Sequence, residues 1–118
     1  MKATANSWKT EPFESLVSIP YKRTFSNEEF QQLEYGLVPG AMEDRWFIYF
    51  EDRKLRIYRS WNGFGAYEVH LRDKEKSWDV ESAFATSVML LGGEESSVTM
   101  LDWLISYFLL NENVPYPF

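Results

Sequence analysis

Arg56, Tyr58, Arg59, Ser60 and Trp61, with Tyr49 before them and His70 after, are the residues of this chain best suited by type and spacing to hold a ligand. A guanidinium is a fixed fork of donors that matches phosphate or carboxylate through two bonds at once, and Tyr and Trp faces stack on bases. A patch combining them suits a nucleotide-derived anion. The competing reading is a solvated sheet face laced by Glu51, Glu68 and Asp73, which antiparallel sheets display routinely. The ligand reading draws on the corner from Arg59 to Gly65, Arg-Ser-Trp-Asn-Gly-Phe-Gly, which places Trp61 and Phe64 where a turn needs no large ring.

Other chemistry has less support. Glu43 and Asp44 are adjacent carboxylates that could hold Mg²⁺ or orient a ribose, but neighbours on an extended chain point opposite ways, and pairing with Arg45 or Arg59 is the alternative. His70 is the single histidine. Beside Glu68 or Arg72 it could act as a general acid or base, or it could simply hydrogen-bond a neighbour. One histidine and no cysteine exclude a two-histidine metal site, a thiolate site and a thiol nucleophile, and no phosphate-cradling glycine loop or Gly-x-Ser-x-Gly elbow occurs. No catalytic residue, metal or cofactor is therefore assigned.

These residues sit in an unusual electrostatic setting. Residues 45–76 hold eight of the twelve Lys and Arg against five of the eighteen acids, a local +3, while the remainder carries −9. The net charge of −6 works against general binding to nucleic acid or anionic lipid. Twenty-one Phe, Tyr and Trp exceed the needs of a core built from 118 residues, so some are expected to line a groove or interface. The absence of cysteine, of a signal-like amino terminus and of a run of about 18 apolar residues predicts a cytoplasmic protein with no membrane span.

The elements that must position the site follow from periodicity. Residues 42–72 read as three consecutive strands. If Phe50 faces Leu55, Ile48 pairs with Ile57 and Trp46 with Arg59, leaving Phe47, Tyr49, Arg56 and Tyr58 on the other face. Asn62-Gly63 reverses the chain into Ala66–Arg72, where Tyr67, Val69 and Leu71 share one face and Glu68, His70 and Arg72 the other. Leu16–Phe25 has strand composition broken by Pro20. Ser26 and Glu29 form a capping box for a helix carrying Phe30 and Leu33. Residues 78–91 are strand or helix. A last helix is expected over 97–110, capped by Thr99 or Asp102 and apolar on a second side through Met100, Trp103, Tyr107 and Leu110. Trp8 and Phe13 would anchor an amino-terminal arm, and Tyr116 and Phe118 an extended tail.

The run Met42-Glu43-Asp44-Arg45-Trp46-Phe47-Ile48-Tyr49-Phe50, followed by Leu55-Arg56-Ile57-Tyr58-Arg59-Ser60-Trp61-Asn62-Gly63, resembles a small bacterial domain. Its pattern is an acidic pair, an aromatic strand and an Arg-Ser-Trp-Thr-Gly corner, and it is associated with macro-type and ADP-ribosylglycohydrolase proteins. Asn62 stands here in place of the Thr, which bears on the turn and on any ligand contact there. The resemblance spans about a quarter of the chain. It implies a role near ADP-ribose or NAD metabolism, with Arg59, Ser60 and Trp61 as matched positions, and supplies no mechanism.

The expectation is one α+β domain, 1–118: an antiparallel meander of four to five strands with two helices on one face. Its function would be non-catalytic binding of a nucleotide-derived anion, ADP-ribose or NAD-like, or of an acidic protein segment, on the basic sheet face. One alternative is a protein-interaction module of immunity, antitoxin or phage counter-defence type, with a homodimer through the 97–110 helix. The other is a small hydrolase of ADP-ribose conjugates using Glu43, Asp44 or His70.

Overall fold

The computed structural model of the chain describes residues 1–41 and 44–118. Met42 and Glu43 therefore lie outside the described residues, and the acidic-pair reading rests on Asp44 alone. In chain order the elements are β1 (Val17–Ile19), β2 (Thr24–Ser26), α1 (Asn27–Tyr35), β3 (Trp46–Glu51), β4 (Lys54–Arg59), β5 (Gly65–Asp73), β6 (Ser77–Ala85), a 3₁₀ turn (Ser87–Leu90) and α2 (Glu94–Leu104). A π-helical turn (Ile105–Leu109) continues α2 without a break. The architecture is α+β. All six strands form one antiparallel sheet in the order β1-β6-β5-β4-β3, with β2 also on β6.

The β3–β4 hairpin has the register its hydrophobic pattern predicts: Phe50 opposite Leu55, Ile48 opposite Ile57, Trp46 opposite Arg59. Asp52 and Arg53 make its two-residue reversal with φ of 56° and 63°, the left-handed conformation whose twist matches the strands it joins. Trp46, Ile48, Leu55, Ile57, Tyr67, Val69 and Leu71 face the helices and join Phe30, Leu33, Leu101, Leu104 and Ile105 in the main core. Ser26 closes the capping box with Glu29 at 3.1 and 3.0 Å, and Phe30 then stacks flat on Trp78, centroids 3.8 Å apart. The sheet is larger than expected because Pro20 splits the first strand into two short pieces that both dock on β6; without an amide hydrogen Pro interrupts the ladder.

Segment 78–91 proves to be both alternatives, a strand to Ala85 and then a 3₁₀ turn. The last helix begins at Glu94, earlier than expected, and has no side-chain cap. Thr99 is inside it and exposed. Asp102, also inside, accepts hydrogen bonds from Tyr21 Oη (2.8 Å) and Arg23 (2.9 Å), so its role is to tie the β1–β2 connection to α2. Part of the helix's second apolar side is covered by the chain itself. Trp103 donates its indole N–H to the Val114 carbonyl and meets the Tyr116 ring edge-on at 5.0 Å. Among the described residues no helix is long and apolar enough to cross a membrane.

Candidate functional site

The sheet face opposite the helices carries Phe47, Tyr49 and Tyr58, as predicted, but it is closed. Residues 1–14 lie across it. Ala3, Trp8 and Phe13 complete a second small core with those three rings, leaving Tyr49 and Tyr58 only 7 and 5 % exposed. Phe13 stacks on Tyr58 with centroids 4.9 Å apart. Trp8 donates its indole N–H to the Ser60 carbonyl (2.7 Å), and the Glu11 amide donates to the Gly63 carbonyl (2.9 Å). Two glycines make room for this arm. Gly63 has φ 74°, and a Cβ there would sit 2.8 Å from the Lys9 carbonyl oxygen; at Gly65 a Cβ would fall 2.0 Å from the Phe13 ring. Burial pushes the Tyr58 hydroxyl well above the ordinary phenol range, with Tyr49 adding to the effect.

Arg56 is consumed on this face. Its guanidinium lies 3.3 Å from Glu68 and 3.9 Å from Glu51, and over the Tyr49 ring at 5.8 Å. His70 meets the other oxygen of Glu68 at 2.7 Å. Burial alone would raise the Glu68 carboxyl, but the bonds from His70 and Arg56 outweigh it and hold the group below the ordinary carboxylate range. Arg56, Tyr58, Tyr49 and His70 thus form a closed network of rings and charges, and the open basic face expected of them is absent. The pattern of alternation could not show this, because the cover comes from residues more than thirty positions away.

Arg59 is elsewhere. Its register opposite Trp46 turns it to the helix side at the end of β4, where its one side-chain hydrogen-bond contact among the described residues is the Met89 thioether at 3.6 Å. No described carboxylate lies within ion-pair range of it. The half-buried guanidinium lines a cleft of about 390 Å³ whose other walls are Glu11, Pro12 and Glu14 from the arm, Phe64 and Gly65 from the corner, and Thr86, Ser87 and Val88 leading out of β6. The Thr86 hydroxyl is committed to the Gly65 carbonyl (3.0 Å), which fixes that wall to the corner. Phe64 is 55 % exposed and lines the cleft. Trp61 is equally exposed but is not part of the lining. Ser60 is buried, and its hydroxyl donates to the Asp44 carbonyl at 2.7 Å.

The structure thus divides the predicted set. Arg59 lines this cleft, with Ser60 and Trp61 flanking it in sequence; Tyr49 and Tyr58 lie under the arm with Arg56 paired beside them, and His70, paired to Glu68, lines a separate hollow of about 200 Å³ beside Arg53, Lys54 and Arg72. Glu11, Glu14, Thr86, Ser87 and Val88 had no signal in the sequence beyond the alternate glycines 63 and 65, which mark a place where something approaches closely.

Of the hydrolase residues, Asp44 and His70 lie apart, and Glu43 falls outside the described residues. The Asp44 carboxylate caps a loop by accepting the Gly40 and Ala41 amides (2.9 and 3.2 Å). It lies just before Trp46, which pairs with the last residue of β4, whereas His70 pairs with the first, Lys54. Among the described residues no group of three His, Asp or Glu is arranged to hold a metal ion. No protein-family model, curated protein or solved structure matches the chain.

Proposed function

We propose that the chain is a non-catalytic binding module and that its site is the cleft at Arg59, where it takes a nucleotide-derived anion of the ADP-ribose or NAD type. The observation that carries the reading is Arg59 itself, half-buried on a cavity wall with a thioether as its only described side-chain hydrogen-bond partner. A guanidinium offers five N–H donors, and one partly removed from water needs strong acceptors to offset the cost of burying its charge. Phosphate supplies them bidentately. The exposed Phe64 ring provides a stacking surface for a base or pyridine ring. The cavity also falls in the range of small-molecule sites, roughly 300–1,000 Å³. Arg59, Ser60 and Trp61 are the positions matched in the sequence resemblance, which points to the same ligands.

Titration calorimetry with ADP-ribose, NAD⁺ and AMP, on wild type and on Arg59→Ala and Arg59→Lys, tests this. The expected result is binding by at least one of them that Arg59→Ala abolishes and Arg59→Lys weakens, because a point charge keeps attraction but loses the fork. Unchanged affinity in Arg59→Ala would place any ligand elsewhere.

A protein-interaction role has one observation in its favour. Tyr107, Tyr116 and Phe118 are 44, 55 and 62 % exposed along the outer side of the last helix and tail. Light scattering at several concentrations reports whether that surface pairs two copies.

A further inference from the structure

The charges around the cleft narrow the ligand further. The cleft that Arg59 lines is also lined by Glu11 and Glu14 of the arm, both exposed and neither within ion-pair range of a described cation. The lining residues therefore include one cation, two acids and an exposed aromatic ring. A ligand that is anionic throughout satisfies Arg59 and is repelled by the two carboxylates. One that carries a phosphate at one end and a flat cation at the other satisfies Arg59, the acids and the ring.

We infer that this cleft selects a nucleotide whose base is itself a cation, a pyridinium nucleotide, with its phosphate on Arg59 and its ring between Phe64 and the carboxylates of Glu11 and Glu14. The inference rests on the binding role proposed for Arg59 and adds to it the specificity-determining residues. Three independent features of the cleft converge on it. The arm that carries the two acids is not a loose tail, since the Glu11 backbone is bonded to Gly63 and Phe13 is stacked on Tyr58, so the backbone on either side of Pro12 is held in the lining. Phe64 offers the negative face of its ring to a cation, an attraction that desolvation strengthens. Arg59 lines the same cavity and supplies the anion end.

NAD⁺ and NADH make the discriminating pair, because they differ by the positive charge of the nicotinamide ring and little else in shape. Calorimetry of both, with ADP-ribose as the ligand lacking the ring, is performed on wild type and on Glu11→Gln/Glu14→Gln. The substitutions are on exposed side chains and keep the Glu11 backbone bond, and thermal unfolding of the variant confirms that the fold is retained. Two carboxylates acting through water at near-contact range give roughly tenfold preference for NAD⁺ over NADH at low ionic strength. The double variant is expected to bring that preference below about twofold, and 0.5 M salt to shrink it in wild type. Equal binding of the two forms by wild type, tighter binding of NADH, or a preference untouched by the double variant would overturn the inference and leave the role of Arg59 standing. No binding of NAD⁺, NADH or ADP-ribose by wild type would overturn both.

Discussion

The contact between Gly65 and Phe13 decides whether the amino-terminal arm is an integral layer of this protein. In Gly65→Ala the new methyl would lie 2.0 and 2.3 Å from two atoms of the Phe13 ring. Carbon atoms rest at roughly 3.5–4.0 Å, so the ring must retreat by roughly 1.5 Å or more. That retreat breaks its 4.9 Å stack on Tyr58. Overpacking of this kind costs about 1–3 kcal/mol. Phe13→Ala removes the ring instead, and for a half-buried Phe the loss is about half of the 3–5 kcal/mol of a fully buried one, or about 2 kcal/mol. In the Phe13→Ala background the same Gly65→Ala change meets no ring. It is then neutral or stabilising by a few tenths of a kcal/mol, because Ala loses less chain entropy than Gly. The two changes should accordingly couple by about 1–3 kcal/mol. Urea unfolding followed by tryptophan fluorescence gives all four stabilities, with five Trp as reporters. If Gly65→Ala costs the same with and without Phe13, to within about 0.5 kcal/mol, the arm is not seated on the sheet in solution and the wall that carries Glu11 and Glu14 is lost with it.

Three further outcomes are expected. Glu68 titrates in the native state below its ordinary 4.5, so the unfolded chain binds the proton first; the stability this contributes is present above pH 4.5 and lost as pH falls through the native value. Glu68→Gln should therefore show a shallower acid limb in urea midpoints measured from pH 6 to 3, and parallel curves would contradict the network with Arg56 and His70. Burial and Asp102 raise the Tyr21 hydroxyl above its ordinary 10.0, so its contribution is whole below pH 10 and lost above it; Tyr21→Phe should flatten the alkaline limb and cost about 1 kcal/mol at neutral pH for the missing hydrogen bond. Ser26→Ala should cost about 1 kcal/mol through the lost cap of α1, while Ser26→Asp keeps most of it; equal stability of the two variants by thermal unfolding would argue against the capping box.

Local pattern was enough to read a great deal of this molecule. The register of β3 on β4 was legible because a one-residue slip would move Ile48, Leu55 and Ile57 from core to solvent. The capping box at Ser26 was legible because its two bonds span three residues. So were the reversal at Asn62-Gly63 and the break at Pro20, each dictated by the backbone of one or two residues. The amino-terminal anchors Trp8 and Phe13 were legible as anchors, though nothing in their spacing said what they would hold; at the other end Tyr116 meets Trp103, while Phe118 stays exposed beside it. The strand–helix ambiguity of 78–91 arose because a short apolar run has no decisive period, and the start of α2 was misplaced because Gly93 and the acids after it begin a helix with no side-chain cap.

What only the tertiary structure decided was the fate of the polar and aromatic residues. Alternation along a strand assigns a side chain to a face, but whether that face meets water depends on segments remote in sequence. Trp8 and Phe13 come back over Tyr49 and Tyr58, and Glu68 claims both Arg56 and His70. Arg59 is three residues from Arg56, and one turn of the pleat sends them to opposite sides of the sheet. One guanidinium is neutralised inside the fold, and the other is left on the wall of a cleft that three separate stretches of chain must meet to form.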